Sequence, residues 1–112
     1  MQPDQYFEKT IKSSATFLGR WQGSRAEMRE LTVSHKSLRL VLTRDDQPGN
    51  LVLSCLDPSW IQGPIRWSDS KISVLRAPMP DTGEAGFLVA DTFADMKILC
   101  PALEISENVS LR

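Results

Sequence analysis

The chain has 112 residues, 41% of them hydrophobic and 24% charged, with a formal net charge of −1. That length suits a single domain, 1–112, able to bury a core without disulfide or metal staples, and the composition excludes a wholly disordered chain. No stretch reaches the roughly 18 consecutive apolar residues of a spanning helix, and no block of basic residues marks a nucleic-acid binder.

The net charge hides an asymmetry. Residues 1–44 carry eight Lys/Arg against four Asp/Glu, whereas residues 45–112 carry five against ten. If the two halves occupy different faces, the molecule has a basic side and an acidic side. The start of the chain, Met1 to Glu8, is polar rather than a signal sequence, so the expected compartment is the cytoplasm. Cys55 and Cys100 are far apart in sequence, which fits buried free thiols in a reducing setting.

Pro3 and Asp4 predict a helix start, with Asp4 as the N-cap. Phe7, Ile11, Ala15 and Leu18 then recur at helical spacing, so a helix is expected over about 4–18, with Gly19 as its stop. After Gly23 the period shortens to two, and a β-sheet region is expected over about 25–107. Met28, Leu31 and Val33 suggest a first strand, and Ser34-His35-Lys36-Ser37 a turn. Leu38, Leu40 and Leu42 alternate with Arg39, Val41 and Thr43 as a half-buried strand. Asp45 to Asn50 reads as a turn, and Leu51, Leu53 and Cys55 as the returning strand of a hairpin.

Pro58 ends that strand. Trp60-Ile61, Gly63-Pro64 and Ile65-Arg66-Trp67 predict an interrupted edge strand or structured loop, because proline cannot donate to a ladder. Ile72, Val74 and Ala77 give another strand, and Ala77 to Gly86 a mobile loop. Phe87 to Ala90 and Met96 to Cys100 follow as strands. Leu103 and Ile105 continue the last one past Pro101, which marks a bulge or a switch between sheets. The fold class is mainly β: an antiparallel sandwich or partly closed barrel of six to eight strands with one N-terminal helix.

Candidate chemistry is sparse. His35 is the only histidine, and no neighbouring nucleophile or orienting group accompanies it. Two cysteines and one histidine do not fill a four-ligand zinc site, so no cofactor or metal is expected. Asp91-Thr92-Phe93-Ala94 is similar to the Asp-Thr-Gly-Ala of retroviral-type aspartic proteases, but Phe93 would crowd the tight loop that the glycine permits. Trp60, Arg66 and Trp67 are the strongest interaction candidates. They fall in the irregular stretch where side chains can project outward, and Trp and Arg are enriched at binding hot spots.

Gly19 and Trp21, placed directly after the helix and followed by Arg25, resemble the opening of calycin barrels, among them lipocalins and the S-type phycobiliprotein lyases. That resemblance implies a barrel holding an apolar or bilin-like ligand, with Trp21 and Arg25 at the pocket. The reading of the residues themselves is a non-catalytic protein-binding or inhibitory module, of the kind an immunity protein exemplifies. Its acidic C-terminal half would suit a basic partner, and an unprotected edge strand near Ile65 would allow self-association.

Overall fold

The computed structural model describes residues 3–32 and 37–108; the expected turn holding His35 lies outside them. Helix α1 (Pro3–Arg20) precedes nine strands: β1 (Arg25–Thr32), β2 (Ser37–Arg44), β3 (Gln47–Leu56), β4 (Trp60–Gln62), β5 (Arg66–Trp67), β6 (Ser73–Pro78), β7 (Ala85–Asp91), β8 (Met96–Cys100) and β9 (Ala102–Asn108). All pairings are antiparallel. They form a five-stranded sheet in the order β5-β1-β2-β3-β9 and a four-stranded sheet in the order β4-β8-β7-β6. The expected mainly-β antiparallel class with an N-terminal helix is what the chain adopts. Among the described residues there are nine strands rather than six to eight, because the interrupted stretch yields two very short ones, β4 and β5.

The helix begins at Pro3, whose fixed φ suits a first helical turn, so Asp4 lies inside that turn rather than capping it. There its carboxylate complements the positive helix end and accepts a hydrogen bond from Arg76 at 2.8 Å. The buried stripe runs through Phe7, Ser14 and Leu18, and Ala15 is exposed. A 3.6-residue period explains the choice, and Ser14 can be buried because its hydroxyl donates to the Thr10 carbonyl at 2.6 Å. Phe7 meets Phe87 of β7 with ring centroids 4.9 Å apart, and Tyr6 meets the same ring at 5.8 Å. These rings fasten the helix to the four-stranded sheet.

Inward positions of both sheets supply the rest of the core: Leu38, Leu40 and Leu42 from β2, Leu51, Leu53 and Cys55 from β3, Val89 from β7, and Met96, Ile98 and Cys100 from β8. The two thiols are buried and unoxidised. A hydrogen bond with Cys100, together with burial, pushes the Cys55 thiol up from its ordinary range.

Two expected loops are more ordered than the sequence suggests. Only Asp45 and Asp46 turn the β2–β3 hairpin, because a register shift after Leu42 and a left-handed Gly49 (φ 85°) let β3 begin at Gln47. Between β6 and β7, the Met79 amide donates to the Glu84 carbonyl at 2.7 Å and the Gly83 amide to the Met79 carbonyl at 2.8 Å. Met79 itself is buried, so this segment is a tied turn.

The two sheets share one corner. Leu56 pairs with Ala102 in the five-stranded sheet, and Trp60 pairs with Leu99 in the four-stranded one. Three residues on one strand therefore oppose two on the other, a β-bulge, with Asp57 in the left-handed region at φ 51°. Pro101 marks the bend on the β8–β9 side, the switch its position predicts. Among the described residues no helix is long and apolar enough to cross a membrane.

Candidate functional site

Alternation along β6, β7 and β8 points one residue set into the core and the other outward. Across the outer face of the four-stranded sheet, Leu75 pairs with Leu88, Leu88 with Leu99, and Leu99 with Trp60. The result is an unbroken apolar row spanning all four strands. Its two ends, Leu75 and Trp60, are 54% and 51% exposed, and its middle members are half-buried. Cross-strand pairs of this kind stabilise a sheet, but a continuous row left open on the surface also offers a docking strip.

Beyond this row, at the end of the sheet where β4 begins and β6 ends, lies a depression of about 410 Å³. Asp57, Asp81 and Glu84 line it together with Met79 and Pro101, and its lining holds no Lys or Arg. The apolar row is thus flanked along one side by three carboxylates.

Of the residues singled out in sequence, Trp60 lies on this face. Arg66 and Trp67 do not join it, because β5 crosses to the other sheet and pairs with Glu27 and Ala26 of β1. The Trp67 indole N–H donates to Asp91 Oδ2 at 2.9 Å, which makes Trp67 a tie between the sheets rather than a free contact residue. Asp91 is almost wholly buried. Its Oδ2 also accepts from the Lys71 amide at 2.9 Å, and its Oδ1 from the Phe93 and Ala94 amides at 3.2 and 3.3 Å. A carboxylate occupied by four donors is a structural strut, and that is the role of the segment resembling a protease motif.

Trp21 and Arg25 also separate. Trp21 has no exposed surface, so no ligand can touch it, and its indole N–H donates to Glu107 Oε2 at 2.7 Å. Arg20 donates to both oxygens of the same carboxylate, at 3.3 and 3.1 Å. The Trp21 bond and the Arg20 guanidinium hold the Glu107 carboxyl below its ordinary range. Arg25 instead faces outward and pairs with Asp45 at 2.9 Å. It meets Arg66 and Trp67 around a shallow depression on the outer face of β5, β1 and β2.

Sequence reasoning missed Leu75, Leu88 and Leu99. The signal was available in Phe87-Leu88-Val89 and Ile98-Leu99-Cys100, where apolar residues run consecutively instead of alternating. In an antiparallel sheet, such runs mean that both faces are apolar. Asp81 and Glu84 carried no comparable signal, since their meeting with Asp57 depends on the corner. Compared with known protein families, curated proteins and solved structures, the chain matches none of them.

Proposed function

We propose that this chain is a non-catalytic binding module that docks a protein partner on the outer face of its four-stranded sheet. The observation that carries the reading is the row Leu75–Leu88–Leu99–Trp60, open to solvent at both ends. Apolar side chains stacked across four strands form a flat, rigid strip whose ordering cost is already met by the sheet. The partner presents a complementary apolar strip with basic residues along one side, because Asp57, Asp81 and Glu84 border that side of the row. Opposed charges there fix the orientation of docking and speed encounter, while the tryptophan supplies the anchor.

The test is affinity purification with the parent, a Trp60→Ala/Leu75→Asp variant and a Glu84→Lys variant, each checked for retained fold by circular dichroism. The expected result is one basic protein recovered near unit stoichiometry with the parent. It is lost with the first variant, since an anchoring tryptophan contributes about 2 kcal/mol or more, and it leaves at lower salt with the second. Equal recovery with all three proteins refutes the docking face.

A further inference from the structure

A second surface, on the opposite sheet, carries chemistry of its own. Along β1, Arg25, Glu27 and Arg29 point outward, and opposite them on β2 stand Thr43, Val41 and Arg39. Arg66 of β5 pairs with Glu27 from the other side. These residues enclose a depression of about 290 Å³ lined by Arg25, Ala26, Glu27, Arg29, Val41, Thr43, Arg66, Trp67 and Ser68. Three guanidiniums face it against one carboxylate.

Val41 forms its floor. The residue is only 6% exposed although it points away from the core, because the stems of the flanking long side chains close over it. Trp67 borders the depression, but its side chain shares the inner face with Ala26 and bonds Asp91, so the walls are the arginine side chains. Glu27 accepts a hydrogen bond from Arg29 at 2.7 Å, and Arg25 is drawn outward to Asp45. The Arg66 side chain makes no hydrogen bond among the described residues, and its charge acts on Glu27 across the β1–β5 pair.

We propose that this depression binds a small aromatic anion, a ring system of one or two rings bearing a carboxylate or sulfonate. The ring stacks on the guanidinium planes that surround Val41, and the anionic group meets Arg66, whose planar fork matches a carboxylate in bidentate geometry. The volume is at the small end of ligand pockets, which sets the ring count. Glu27 is the one group that opposes such a ligand.

The probe is naphthalene-2-sulfonate, titrated by fluorescence into the intact protein beside its uncharged analogue naphthalene-2-sulfonamide. One saturable site is expected for the sulfonate, with much weaker binding of the uncharged compound. Arg66→Gln weakens the sulfonate about tenfold, the loss of one charge-assisted bond. Glu27→Gln tightens it about threefold, a gain that a damaged fold with many weak sites cannot mimic. The Trp60→Ala/Leu75→Asp variant leaves the affinity unchanged, which separates this site from the docking strip. Equal binding of both compounds, no binding, indifference to Arg66→Gln, or loss only in the Trp60→Ala/Leu75→Asp variant each overturns the proposal.

Discussion

Replacing Asp91 with alanine removes the acceptor for four donors at once. The Phe93 and Ala94 amides sit in an exposed turn and find water in its place. The Trp67 indole N–H and the Lys71 amide make the shorter bonds, both to Oδ2 at 2.9 Å and partly buried, and carry most of the loss. Hydrogen bonds to a carboxylate contribute about 1.5–3 kcal/mol each, so the loss is set by these two and comes to about 3–6 kcal/mol. For a domain of this size, that lowers the melting temperature by roughly 10–20 °C. Urea denaturation followed by far-UV circular dichroism measures it. A double-mutant cycle with Trp67→Phe then isolates the indole bond, with an expected coupling of about 1 kcal/mol. A loss below about 1 kcal/mol for Asp91→Ala, or no coupling to Trp67, would refute the strut.

Three further outcomes follow from other parts of the fold. Leu40→Ala should cost about 2–5 kcal/mol in the same urea assay, since Leu40 is fully buried in the hydrophobic core; a change below about 0.5 kcal/mol would mean its facing is wrong. Cys55 and Cys100 should react with a thiol reagent only after denaturation, because both are buried and the Cys55 thiol is held in its protonated form; rapid labelling of the native protein would contradict that. Glu107 has a folded-state carboxyl below its unfolded value, so its contribution is complete above the ordinary carboxylate range and disappears as pH falls through the lowered value. Glu107→Gln should therefore melt lower than the parent near neutral pH, and the two curves should converge on acidification. A gap independent of pH would remove the ionic part of the argument.

The fold class was legible because β2, β3 and β8 alternate with little interference, and because Pro101 stands between two runs of inward residues, Met96-Ile98-Cys100 and Leu103-Ile105. The helix was legible too, but not its buried face. Ala15 is the more apolar choice, yet geometry places Ser14 inside, and a back-bond to Thr10 makes that tolerable. The sites were less legible, for a reason of connectivity. Trp60, Arg66 and Trp67 lie within eight positions of one another in the chain, but Gly63 and Pro64 carry the chain from one sheet to the other between them. Sequence proximity therefore grouped residues that the fold divides, and it left apart Arg25 and Arg66, which the fold unites. Arg25, Arg29 and Arg66 crowd the outer face of β1 and β5, while Asp57, Asp81 and Glu84 gather at the far end of the other sheet.

The corner between the sheets has a consequence for which length variants the chain can bear. Asp57 and Ser59 are exposed and look like ordinary loop residues, tolerant of trimming. Their number, however, sets the phase of β4. Because a strand alternates its faces with a period of two, deleting one residue from 57–59 would roll β4 over, sending the Trp60 indole toward the core and Ile61 onto the docking strip. Inserting one would do the same. Only even changes in length preserve the surface, so relatives of this chain that keep the strip should differ at this corner by two residues or by none.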